Sequence, residues 1–547
     1  MTRTIRLFTL ASIAFALLAS AAQASPQQTS IMMDDDLLVY RDDGVAARAL
    51  TQMKALGVDT VRVTVLWKIV AENARLSKAQ IKPLKGRFKT AAQRQARRFR
   101  ATNPATYPTR NWDRFDNLVR AAGERGIRIY FNVTGPGPEW AHTKPPKSMR
   151  ALRSTWKPRP AAFKQFVTAV GRRYDGTYRD ENGSRGALPR VKFWSLWNEP
   201  NQAGWLSPQW ERRGGSLVPA SPALYRKLYQ SGYKGLLATG HRADNDIILM
   251  GETAPLGTDA KTAKAPMRPR LFLRELACIQ PDGSAYAGAG ASARDCGDFE
   301  ARGGLQATGF AHHPYTKNVG PTIRDANRDS LTMANITELG TLLDDLSAKT
   351  GGAIPAGLPL FMTEFGFETN PPDKFSGIAL PDQAKFNTLG EFIAWQNPRI
   401  LSQAQFLLRD AAPLRNRRRG SKGSFFTFQS GLYFLNGVAK PAAGAYALPF
   451  LAFDSKTLDQ TTTAPIFNFW GQLRLLPNGA PASATVQWRA KDGTTPWMSV
   501  GEPVPVDTMG YFQATRTAPL PVVGEWRSAY LLPDGTVAAA SPGTQGT

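Results

Sequence analysis

Two glutamates stand out by what surrounds them. Glu199 follows Phe193-Trp194-Ser195-Leu196-Trp197-Asn198 and precedes Pro200-Asn201, and Glu364 follows Leu360-Phe361-Met362-Thr363 and precedes Phe365-Gly366. Each closes a short apolar, β-rich run, so each carboxylate leaves a strand and enters a loop. Two carboxylates facing one pocket can break a glycosidic bond. One protonates the leaving oxygen while the other attacks the sugar or activates water. Alone, a strand-end glutamate is usually a rim residue or a salt-bridge partner. The pair therefore calls for a scaffold that gathers distant strand ends.

Such a scaffold is legible. Apolar strand-like runs fall at Ser30–Val39, Asp59–Trp67, Ile127–Val133, Val191–Trp197, Asp246–Met250, Leu305–His313, Leu358–Glu364 and Ile400–Leu408. A helical pattern follows each, the last at Ala442–Phe453. Eight such alternations predict an α/β chain folded as a (β/α)8 TIM barrel, with chemistry at the C-terminal ends of its strands. Glu199 then ends strand four and Glu364 strand seven. Beyond Phe453 helical periodicity stops and short strands recur between Pro/Gly turns, which predicts a small C-terminal β-sandwich over 454–547 behind a barrel over 25–453. Trp470, Trp488, Trp497 and Trp526 read as its core.

Strand side chains alternate between faces, so Thr60, Arg62 and Thr64 share one side of strand two, and Val61, Val63 and Val65 the other. The polar side belongs inside the barrel mouth, which aims Arg62 at the carboxylates. His313 and Tyr315 share parity after strand six, with His312 turned away. Asn132, Tyr130 and Trp140, on and beyond strand three, are further pocket candidates.

The Trp197–Asn201 WNEPN and the Thr363–Gly366 TEFG resemble the acid/base and nucleophile motifs of clan A glycoside hydrolases, whose two glutamates end strands four and seven. The resemblance implies that Glu199 is the acid/base and Glu364 the nucleophile of a retaining double displacement. It also implies that Asn198 binds the sugar 2-hydroxyl, that Arg62 holds the nucleophile ionised, that Tyr315 donates to Glu364 and that His313 contacts sugar. Ser430–Tyr433 and Lys440–Ala442 echo the "GL…KPA" ending of secreted members. Cellulase-like and β-xylosidase/iduronidase-like families both fit. Strand eight departs from the pattern, since Ala404–Asp410 contains no tryptophan to floor the sugar subsite; Phe428 or Gln429 is expected to substitute.

Composition agrees with a large secreted enzyme. The chain has 547 residues, 42% of them hydrophobic, and a formal net charge of +25, which excludes disordered and small disulfide-scaffold classes. Arg3 and Arg6, the apolar run Leu7–Leu18 and Ala22-Gln23-Ala24 predict a signal peptide over 1–24 cleaved before Ser25. Export, to the periplasm or the exterior, makes a Cys278–Cys296 disulfide plausible, with two free thiols as the alternative. Two cysteines and four histidines leave little stock for a metal site, and no cofactor is expected.

Most of the positive charge lies at residues 85–114, 141–164 and 409–422, net +8, +7 and +5. All three follow barrel strands at the catalytic face, which suggests an anionic polysaccharide. Nucleic acid would suit the charge but not the paired glutamates, no transmembrane segment is expected, and a monomer is. The competing readings are a glycan- or wall-binding protein on a barrel scaffold and a transglycosylase using the same glutamates.

Overall fold

The computed structural model describes residues 25–545 except 26, 77, 184, 302, 477–481 and 520–522. The predicted leader lies outside the described residues. Eight parallel strands close into a barrel: β1 (Thr29–Met33), β2 (Thr60–Leu66), β3 (Arg128–Thr134), β4 (Phe193–Leu196), β5 (Ile247–Thr253), β6 (Gly309–His312), β7 (Leu360–Met362) and β8 (Ile400–Phe406), with β8 pairing back to β1. Each is followed by a main helix: α1 (Asp43–Ala55), α2 (Thr109–Glu124), α3 (Pro160–Arg173), α4 (Ser221–Leu237), α5 (Pro269–Leu276), α6 (Thr337–Lys349), α7 (Leu380–Trp395) and α8 (Pro441–Ala447).

Periodicity explains the layers. In α2 the buried Trp112, Phe115, Leu118, Val119 and Ala122 recur at helical spacing and form one face. They meet the outward side of the strands, where Val61, Val63 and Val65 join the same core. Inside, the lower barrel is filled by Ile31, Phe193, Leu249, Phe361 and Ala404.

Several expected boundaries move for local reasons. The first strand stops at Met33 because the Asp34 carboxylate accepts from the Leu37 amide at 3.1 Å and starts a short helix, Asp35–Val39. Strand six begins at Gly309, not Leu305. Strand five runs on to Thr253 through an irregularity at Gly251–Thr253. The last helix ends at Ala447, and Phe450–Leu458 is already a sandwich strand paired with Pro465–Gln472. The barrel therefore gives way to the sandwich a few residues before 453.

The sandwich packs a three-stranded sheet against a second sheet built on Ser483–Ala490 and Gly524–Leu531. Trp488 and Trp526 are buried between them with Phe450, Phe467 and Phe469. Trp470 faces the barrel instead and packs with Leu451 and Tyr511 on Trp395 of α7. Trp497 is half-buried under Arg489 and Arg527. Arg474 of the sandwich forms a buried ion pair with Glu391 of α7. Cys278 and Cys296 are disulfide-bonded, tying the end of α5 to the helix Cys296–Ala301. Among the described residues no helix is long and apolar enough to cross a membrane.

Candidate active site

The barrel mouth opens into a cleft of about 740 Å3, lined by Asn198, Glu199, Tyr315 and Glu364 and walled by Trp205, Phe406 and Phe428. A cavity of this size suits a small-molecule ligand. Phe428 packs edge-on against Phe406, so it lines the subsite left open by the missing tryptophan, whereas Gln429 is buried and donates to the Ala411 carbonyl.

Glu199 and Glu364 meet across the cleft. A carboxylate oxygen of each, together with a ring nitrogen of His313, lies within 4.8 Å of the other two. Arg62 lies beneath, fully buried. Its Nη1 donates to Glu364 Oε1 at 2.8 Å and its Nη2 to Asn198 Oδ1 at 2.7 Å. Tyr315 donates to Glu364 Oε2 at 3.1 Å. Burial raises the Glu364 pKa, opposed by His313 and Arg62 and reinforced by the charges of Glu199 and Glu252. Those donors are what a carboxylate needs to remain an anion in a buried place.

His313 is also fully buried. Its Nδ1 stands 2.9 Å from Glu199 Oε1 and its Nε2 2.7 Å from Glu252 Oε2. Burial works against its charge, but Glu364, Glu199 and Glu252 push its pKa up to about 10. His313 thus lies below the cleft floor and organises carboxylates, rather than reaching sugar as the resemblance implied. His312 turns away as expected, bonding Thr253 and the Leu331 carbonyl, and burial takes its pKa down to about 3.

Two expected pocket residues are elsewhere. Asn132 is fully buried, and its amide donates to Ser195 Oγ at 2.7 Å and to the Trp197 carbonyl at 3.3 Å, so it supports the end of β4 instead of binding substrate. Trp140 packs edge-on against Trp67 and Phe99 behind the strands, because an apolar cluster there offers it more contact than the cleft does.

Glu252 was not legible as a site residue, although a Gly-Glu pair just past a strand's apolar run was a signal. It stands next to last in β5, at the centre of the polar network, and is fully buried. Burial disfavours its charge, yet Arg62, His313 and Ser195 outweigh that and hold its pKa well below the carboxylate range. Strict alternation from the inward Leu249 would turn Glu252 outward. Gly251 and Glu252 instead share the slot opposite Ala311, a bulge that reverses the parity. Gly251, at φ 102°, is required there, since a Cβ would sit 2.5 Å from the Ala311 carbonyl oxygen.

Backbone strain collects at the same place. Trp197, Glu199 and Glu252 have φ of 79°, 36° and 49°, each costing on the order of 1–3 kcal/mol for a non-glycine residue. Hydrogen bonds enforce them: the Trp197 amide donates to the Val133 carbonyl, and the Glu199 amide to that of Glu252, both at 2.9 Å. By distance alone, Glu199, His313 and Glu364 could converge on a metal ion. A His313 that donates from both nitrogens has no lone pair to offer one.

The closed parallel barrel carries glutamates just past β4 and β7, the placement that the WNEPN and TEFG motifs led to expect. No family model and no curated protein matches the sequence. Solved structures similar to the chain include a monomeric β-xylosidase from Caulobacter crescentus CB15, at 13% identity over 91% of this chain and 96% of that one, TM-score 0.44. GH5_18 from Streptomyces cattleya in complex with GlcNAc aligns at 15% identity over 78% and 79%, TM-score 0.42. A glucosidase from Croceicoccus marinus aligns at 11% over 87% and 90%, TM-score 0.41. At such values function is read from this chain's own residues.

Proposed function

We propose that the protein is an exported, retaining glycoside hydrolase that cleaves a β-type linkage in an oligo- or polysaccharide. The observation that carries the mechanism is the approach of Glu199 and Glu364 to within 4.8 Å, oxygen to oxygen. Retention works with carboxyl groups about 5–5.5 Å apart, whereas inversion needs about 6.5–9.5 Å to admit a water. Glu364, ionised by Arg62 and Tyr315, attacks the anomeric carbon. Glu199 protonates the leaving oxygen and then takes a proton from the water that releases the sugar. Asn198, held by Arg62, is positioned for the sugar 2-hydroxyl. One chain supplies every group, so a monomer suffices. The predicted leader supports export.

A screen of aryl glycosides with the wild type, followed by NMR of the first-formed sugar, tests this reading. Release of the starting anomer is expected. An inverted first product would overturn retention, no turnover on any glycoside would favour the glycan-binding alternative, and transfer to sugar in preference to water would favour the transglycosylase.

Charge bears on the substrate. The segment after β8 folds back on itself, with the Ala411 amide donating to the Phe428 carbonyl and the Leu414 amide to the Ser424 carbonyl. Its base, Phe428, lines the cleft, while Arg415, Arg417, Arg418, Arg419 and Lys422 are exposed, with no ion pair among the described residues. The cleft lining itself carries Asp35, Glu199, Glu364 and Glu368 against Lys317. Repulsion at the cleft and attraction at the loop favour a polymer whose anionic groups lie away from the bond cut.

A further inference from the structure

Glu252 has a job that the two-glutamate mechanism does not assign. Six side chains surround its carboxylate. Oε2 faces His313 Nε2 at 2.7 Å, Thr363 Oγ1 at 2.7 Å and Arg62 Nη2 at 3.2 Å. Oε1 faces Ser195 Oγ at 2.6 Å, Asn132 Nδ2 at 3.4 Å and the Tyr130 hydroxyl. Guanidinium and amide nitrogens can only donate, and each of the three hydroxyls has a proton to donate to a carboxylate. A carboxyl ringed by donors, one of them the Arg62 guanidinium in an ion pair with it, is held as an anion. His313 Nε2 must then carry hydrogen, which fixes the ring and turns Nδ1 to Glu199.

We propose that Glu252 is a positioning residue that, acting through His313, sets the proton affinity of the acid/base Glu199. The proposal rests on that role for Glu199. In the first step the glycosidic C–O bond breaks, its electron pair goes to the leaving oxygen with the Glu199 proton, and Glu364 bonds the anomeric carbon. Glu199 then becomes a carboxylate with that of Glu364 within 4.8 Å and that of Glu252 across the imidazole ring. The Nδ1–H of an imidazolium, 2.9 Å from Glu199 Oε1, offsets that charge. In the second step water bonds the anomeric carbon, the ester bond to Glu364 breaks, and the water proton returns to Glu199.

The charges around His313 favour this state. Glu199 faces it from β4, Glu252 from β5 and, at 3.6 Å, Glu364 from β7. Arg62 from β2 and the neutral hydroxyls of Tyr130 and Tyr315 complete the surroundings, and the adjacent His312 is neutral. Once Glu199 has given up its proton, three carboxylates stand against one guanidinium and call for a second cation. Glu252→Gln removes one of the three while keeping the shape.

Histidine is scarce, with four in the chain, so selective 15N labelling of the full-length protein reads the imidazole directly. The expected result is one ring, assigned to His313 by its loss in His313→Gln, protonated on both nitrogens at pH 7 and up to about pH 9. In Glu252→Gln that ring should titrate at lower pH. Once the imidazole is neutral, the cation that offsets the Glu199 charge is gone, so the alkaline limb of kcat/KM should move down by about one pH unit or more. On substrates with poor leaving groups, kcat at pH 8 should fall about tenfold or more with KM nearly unchanged.

A purely structural Glu252 would lower the unfolding temperature and leave both the limb and the imidazole titration in place, which overturns the proposal. A neutral His313 at pH 7 in the wild type overturns it too, and that measurement stands even if Glu252→Gln does not fold. The NMR result needs no turnover, so its failure is separable from failure of the glycosidase reading.

Discussion

The inside of the barrel has two layers built from the same strands, and they are opposites. The lower layer is apolar, with Phe193 and Phe361 in edge contact and Ile31, Leu249 and Ala404 around them. One step up the barrel lie Arg62, Ser195, Glu252, His313 and Thr363, all buried, the other four each hydrogen-bonded to Glu252. The lower layer is a packing core, where cost follows volume and cavity. The upper layer gathers charges that would be expensive to bury singly and are tolerable only as a set. Stability and chemistry are thus separated by two residues along a strand.

That separation can be broken experimentally, most severely at the nucleophile. Glu364→Ala should cost on the order of 10⁵ in kcat, the scale of losing a nucleophile elsewhere, while the protein stays folded. Added azide should restore turnover and give the opposite anomer. Appreciable activity without rescue would remove Glu364 from the mechanism.

Next in size is Glu199→Ala, expected to cost about 10²–10⁴ on substrates with poor leaving groups and much less on activated aryl glycosides. Equal losses on both would contradict proton donation.

A substitution in the lower layer should behave differently. Phe361→Ala should destabilise by about 3–5 kcal/mol in urea unfolding and leave kcat per folded molecule nearly unchanged. A large fall in kcat would show that the two layers are mechanically one.

The smallest effect is expected outside the barrel. Joint replacement of Arg417, Arg418 and Arg419 by Glu should slow cleavage of an acidic polymer a few-fold at low salt, with the difference fading as the Debye length shrinks to about 8 Å at 0.15 M. Small aryl glycosides should not respond. A neutral polymer cleaved as fast as an acidic one would leave the basic loop without a part in substrate choice.

The sequence determined more of the site than of its support. Eight strand–helix alternations pointed to the barrel, because eight parallel strands ringed by helices close without an edge and bury their apolar runs. Strand-end position then carried Glu199 and Glu364 to the same mouth, and side-chain alternation placed Arg62 beneath them. The last of these works because β2 is regular, so parity read from residues is parity in space.

Tertiary structure decided where regularity fails or where partners compete. The bulge at Gly251 turned Glu252 inward, a reversal set by the fit against Ala311 on the neighbouring strand. Burial depth made Asn132 a support and His313 a bridge between carboxylates, although both have the parity of pocket residues. Trp140 went to Trp67 and Phe99, which are distant in sequence and adjacent only after folding. Local pattern fixes which way a side chain points along a regular strand; what it meets there depends on chain segments that the pattern does not contain.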